Sequence, residues 1–101
     1  MFPLARFRIE DASMEPALRA GDYVLVNRWA YGRRGPRSGD VVVFRDPEAP
    51  ARLLVKRVER VDPSGAVLVR GDNDAFSRDS RAFGAVGREG LIGKVVLRAR
   101  A

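Results

Sequence analysis

The apolar residues of this chain recur with the period of strands and show little sign of a helical repeat. Arg6–Glu10 alternates in polarity. YVLV at 23–26, VVVF at 41–44, LLVKRVERV at 53–61, AVLV at 66–69 and LIGKVVL at 91–97 are rich in branched side chains. Turn-forming residues separate them: Gly21-Asp22, Gly39-Asp40, Pro63-Ser64-Gly65 and Gly71-Asp72-Asn73. Short strands at this spacing predict a mainly β chain, either a sandwich or a partly open barrel. At most one short helix is expected, starting near Glu15-Pro16, where Pro16 fits a first turn. Pairing of YVLV with VVVF across the Arg33–Ser38 loop predicts an antiparallel ribbon. There is no repeat, linker or low-complexity tract, and 101 residues fit a single domain over 1–101.

Two absences narrow the chemistry. Without cysteine there is no disulfide, no thiolate nucleophile and no thiolate-bound metal. Without histidine a serine triad built on imidazole and the usual zinc sites are excluded. The acidic residues are scattered and form no calcium-loop pattern, so neither metal nor cofactor is expected. Any general base must be a carboxylate, a lysine, a tyrosine or a bound water.

The net charge of +6 rests on 17 arginines and only two lysines, Lys56 and Lys94. Such a balance suits nucleic acid or an anionic membrane surface. It equally suits a source that favours arginine codons or high growth temperature. The arginines are spread along the chain with no aromatic stacking platform among them, so no nucleic-acid partner is expected. No apolar run approaches the ~20 residues of a membrane span, and MFPLARFRIEDA is too short and too charged for a signal-peptide core. Phe2, Leu4, Trp29 and Tyr31, set among arginines, read either as an interfacial patch for peripheral membrane contact or as ordinary packing.

Each surviving lysine raises the question of why arginine would not serve. Arginine keeps its proton, whereas a desolvated lysine can lose it. In LLVKRVERV, Lys56 shares a strand face with Leu54 and Val58; it either snorkels to solvent or is partly desolvated. A serine hydroxyl needs a base within hydrogen-bond reach to act as nucleophile. Ser13, in DASMEPAL, lies beside an apolar Met14 at a turn. A serine and a neutral lysine together form a known substitute for the histidine-based triad.

The order and content of these segments resemble the type I signal peptidases. ASMEPAL, VLVNRWAYGRRGPRSGDVVVFRDP, VKRV and GDNDAFSRDSRAFGAV look like that family's successive motifs over roughly residues 9 to 97. The SMxP and VKRV segments are shared with LexA-like self-cleaving repressors, and the Gly71–Val86 block discriminates. The resemblance implies a partly open antiparallel β-sheet fold of the signal-peptidase and LexA-like type. It implies Ser13 as nucleophile, Lys56 as general base, Ser77 as a hydroxyl that orients the lysine, and Asp79 with Arg81 as an ion pair holding the loop. It implies a serine endopeptidase that binds an extended segment of a pre-protein and cleaves after small residues, Ala-x-Ala-like. By position Ile9, Met14, Leu18 and Val55 line the substrate pockets; core packing is the other reading of each.

Two departures accompany the resemblance. Family members commonly place a hydroxyl residue or glycine two positions before the nucleophile, and this chain has Asp11, whose charge would repel an oxyanion. The family normally carries an N-terminal membrane anchor, and here 12 residues precede Ser13. The expectation is a minimal, anchorless member, associated with a membrane and acting on its extracytoplasmic side. Only 14 residues separate Lys56 from Gly71, as in the compact relatives, among them the maturation protease of nickel superoxide dismutase. The alternatives are a maturation protease of that nickel superoxide dismutase type and an inactive, peptide-binding relative.

Overall fold

A computed structural model describes residues 3–99. Among them six strands form one open, wholly antiparallel sheet: β1 (Leu4–Arg8), β2 (Tyr23–Asn27), β3 (Val41–Asp46), β4 (Ala49–Val61), β5 (Val67–Arg70) and β6 (Leu91–Ala99). The spatial order is β1-β2-β6-β3-β4-β5. The mainly β architecture, with an open sheet and little helix, is therefore the one the periodicity predicts.

The expected ribbon of YVLV against VVVF does not form. β6 lies between β2 and β3, pairing Val26 with Val95 on one side and Val43 with Gly93 on the other. The physical reason is a close approach at Gly93. A Cβ there would sit 2.5 Å from the Asn27 carbonyl oxygen and 2.8 Å from Val26 Cγ1. Only glycine lets β6 enter between the two strands, and the segment between β2 and β3 spans it.

The expected helix near Glu15-Pro16 is likewise replaced by tight turns. After Leu18 N–H donates to Met14 O, the next amide, Arg19 N–H, donates to the Asp22 side chain rather than to Glu15 O, so the helical ladder stops. The short helix sits elsewhere, as α1 (Ser80–Phe83). Asp79 caps it by accepting from the Arg81 N–H.

Alternation along β3 and β4 divides the core between the two faces of the sheet. Val43 and Val55 join Ile9, Met14, Leu18, Val24 and Val26 in one cluster. Val42, Phe44, Leu54 and Val58 join Val67, Val69 and Val86 in the other. The turn that carries Ser13 covers the first face, and the Gly71–Val86 segment covers the second. Ile9 fixes where the chain leaves β1: its N–H donates to Asp22 O and its carbonyl accepts from Gly21 N–H, both at 2.8 Å.

Gly93→Ala is expected to destabilise the fold by about 1–3 kcal/mol, the usual cost of forcing extra atoms into a packed site. Urea denaturation followed by tryptophan fluorescence measures it.

Candidate active site

Ser13 and Lys56 are each only 2% exposed. Both line one cavity of about 170 Å³, with Ile9, Met14, Leu53, Leu54 and Val55 as its apolar walls. Phe7, Glu10, Asp11 and Arg52 complete it.

The serine is presented by a turn that folds back after β1. Glu15 N–H donates to Ala12 O at 3.1 Å and Leu18 N–H donates to Met14 O at 2.9 Å. Met14 and Leu18 drop into the core beneath. From the other side Asn73 clamps the turn. Its backbone N–H donates to Ser13 O at 2.8 Å, and its Nδ2 donates to Ala12 O at 3.0 Å. The close approach depends on Gly71. A Cβ there would lie 2.1 Å from Ser77 Oγ and 2.7 Å from the Ser13 carbonyl oxygen.

Lys56 lies on β4 opposite Val42 of β3, on the same face as Leu54 and Val58. Burial pushes its amine below the ordinary lysine range. The negative charges of Asp11 and Asp79 oppose that shift, and the positive charges of Arg78 and Arg52 reinforce it. Desolvation is the largest of these causes, so the amine is biased toward its neutral form.

Asp79 organises the segment over this face. Its side chain is fully buried and accepts five hydrogen bonds, one of them from Arg81 Nη2 at 3.0 Å. Arg81 Nε lies at 2.9 Å, Gly71 N–H at 3.0 Å, Ser77 Oγ at 2.9 Å and Arg81 N–H at 3.2 Å. Burial alone would raise this carboxyl, but the bonds from Arg81, Gly71 and Ser77 hold it well below the usual carboxylate range. The Ser77 hydroxyl is thus spent on Asp79, whose charge in turn reaches Lys56. Ser80 Oγ accepts the Val69 N–H at 2.8 Å, stitching α1 to β5. Arg78 pairs with buried Asp46 at the end of β3 and with Glu48 at 2.6 Å, and its guanidinium stands 5.1 Å from the Phe83 ring centroid.

Of the four residues considered for substrate pockets, Ile9, Met14 and Val55 line the cavity and also belong to the core cluster. Leu18 is in the cluster and does not line the cavity. Of the four considered for an interfacial patch, Phe2 lies outside the described residues. Leu4 and Trp29 are exposed, whereas Tyr31 packs against the Phe44 cluster and donates its hydroxyl to Asp40 at 2.6 Å. Among the described residues no helix is long and apolar enough to cross a membrane.

Sequence reasoning missed Asn73 as the clamp on the serine turn and the Arg78–Asp46 pair. The signal for the first was present in Gly71-Asp72-Asn73, which reads as turn chemistry until the partner turn is placed against it. Asn73→Ala removes one hydrogen bond from a part-buried carbonyl and should cost about 1 kcal/mol of stability. Gly71→Ala should cost more and displace Ser13, because backbone and side chain both obstruct the new methyl group. Denaturation midpoints of the two variants order the effects.

Comparison with known proteins follows the same lines. The family model described as "Signal peptidase, peptidase S26" matches residues 1–61 and 59–99. Signal peptidase I of Pseudomonas aeruginosa is 34% identical, covering 92% of this chain and 35% of that protein. Mitochondrial inner membrane protease subunit 2 of Schizosaccharomyces pombe is 35% identical, covering 87% of this chain and 60% of its own length. Mitochondrial ATP-independent inner membrane protease subunit 1b of Arabidopsis thaliana is 34% identical, covering 85% and 64%. The chain thus spans from about a third to just under two thirds of the length of these relatives. By the match of nearly its whole length to the family model, the chain belongs to the signal peptidase family, peptidase S26.

Proposed function

We propose that residues 1–101 act as the catalytic domain of a serine endopeptidase of the signal peptidase I type, with Ser13 as nucleophile and Lys56 as general base. The observation that carries this reading is the convergence of a buried serine and a buried, desolvated lysine on one cavity, in a chain without histidine. Ser13 Oγ attacks the scissile carbonyl while its proton passes to Lys56 Nζ. The tetrahedral intermediate collapses as the C–N bond breaks, and the new ammonium gives its proton to the leaving amine. Lys56, neutral again, deprotonates a water that attacks the acyl-enzyme and releases Ser13.

The substrate in this reading is an extended pre-protein segment. β5 pairs with β4 only from Arg57 onward, which leaves the earlier part of β4, beside Lys56, without a strand on that side among the described residues. An extended peptide added there gains main-chain hydrogen bonds, and side-chain pockets supply selectivity. A cavity of about 170 Å³ walled by Ile9, Met14 and Val55 fits small residues before the scissile bond. Ser77, Asp79 and Arg81 act through Lys56 and the Asn73 clamp. Exposed Trp29 and Leu4 among arginines favour peripheral contact with a membrane surface, and membership of the family favours its extracytoplasmic side.

Ser13→Ala and Lys56→Arg are each expected to abolish cleavage of an Ala-x-Ala peptide while the circular dichroism spectrum is unchanged. Arginine keeps the charge and cannot act as base, so activity retained in Lys56→Arg contradicts the mechanism. The sign of the pH dependence follows from the lowered amine pKa. Protonated Lys56 is inactive, so kcat/KM rises with pH and levels off below the pH at which an ordinary lysine, near ~10.4, would titrate. A profile flat from pH 6 to 10 contradicts the assignment.

A further inference from the structure

The dyad leaves Asp11 without a role. Its Oδ1 accepts the Ser13 N–H at 3.0 Å, and the residue lines the cavity with Ser13 and Lys56. The amide of the nucleophile's own residue is a natural donor to the oxygen of a tetrahedral intermediate. Here that donor already holds an anionic acceptor, and such charge-assisted bonds are stronger than neutral ones. An oxyanion developing at this amide meets both an occupied donor and a like charge.

The Asp11 bond is not alone in holding the turn. The two hydrogen bonds from Asn73 and the Glu15 N–H bond to Ala12 O fix its carbonyls from the other side. The contact acts on one group, the Ser13 amide.

We propose that Asp11 is a positioning residue that occupies the oxyanion donor of the resting site, and that catalysis requires its carboxylate to leave the Ser13 amide. The proposal rests on the Ser13/Lys56 reading given above. Because the competition is with charge that exists only in the transition state, it lowers kcat and leaves KM nearly untouched. The Asp11 charge also favours the protonated form of Lys56, so both of its effects slow the same step. The residue makes the site a restrained one, in which release of the Ser13 amide accompanies formation of the tetrahedral intermediate.

Steady-state cleavage of an Ala-x-Ala peptide by the full chain, with Asp11→Ala, Asp11→Asn and Ser13→Ala, tests this. Losing one oxyanion donor typically costs on the order of 10²–10³ in kcat; a donor that is only competed for costs less. Asp11→Ala is therefore expected to raise kcat at least about tenfold, with KM within about twofold. Asp11→Asn, which keeps the shape and an acceptor but removes the charge, should raise kcat by less; it also serves if the alanine variant does not fold. A peptide boronate, which forms a tetrahedral adduct on serine, should bind Asp11→Ala at least about tenfold more tightly than the parent chain. Cleavage in Asp11→Ala where the parent chain shows none supports the proposal most strongly. If Ser13→Ala is inactive but kcat in both Asp11 variants is unchanged or lower, the Asp11 proposal falls alone. If Ser13→Ala still cleaves, the dyad and the proposal fall together.

Discussion

A lysine side chain held where water barely reaches it is the constraint on which the site depends. Lys56 shares its face of β4 with Leu54 and Val58 and faces Val42 across the ladder. Burying an ammonium there is unfavourable, and the amine yields by losing affinity for its proton. The surrounding charges are balanced so that this result survives: two carboxylates favour the proton, two guanidinium groups disfavour it, and desolvation outweighs both. An arginine at this position would stay charged and could not serve as base, which gives a physical reason for a lysine in a chain otherwise dominated by arginine.

Arginine has a different use in the same structure. Arg57 forms a two-pronged pair with Asp72, Arg70 bridges Glu59 and Asp74, Arg78 bridges Asp46 and Glu48, and Arg81 grips Asp79. These four fasten the Gly71–Val86 segment and its neighbouring strands. The planar fork of a guanidinium suits such carboxylate contacts better than an ammonium does. Most of the pairs are part-exposed, so each contributes little to overall stability; the exceptions are the buried carboxylates, Asp46 and, bonded on several sides, Asp79. The role of Asp79 is geometric, holding Gly71 and Ser77 so that Asn73 reaches the serine turn.

The strands were legible in the sequence because a period of two is a local property. Their neighbours were not. Nothing in YVLV or VVVF encodes that the last strand of the chain slides between them, and the glycine that permits it, Gly93, reads locally as a weak point in LIGKVVL. The turn at Glu15-Pro16 stops after one helical bond because Asp22 claims the Arg19 amide, while Asn73, some sixty residues away, holds the carbonyls just before it. Lys56 could be placed on an apolar face from alternation alone, but whether it reached solvent depended on what covers that face. Asp11 stood out as a departure from the family pattern, and only coordinates reveal that its carboxylate lies on the Ser13 amide.

The central claim is that Lys56 is neutral enough to serve as a base. Direct titration of its side chain by heteronuclear NMR tests this without reference to any substrate. The chain has only two lysines, so the Lys56→Met spectrum assigns the Lys56 Cε and Nζ signals outright. The account predicts that they titrate below the ~10.4 of a free lysine. Titration at or above that value would mean a charged amine at working pH, and the dyad would be contradicted.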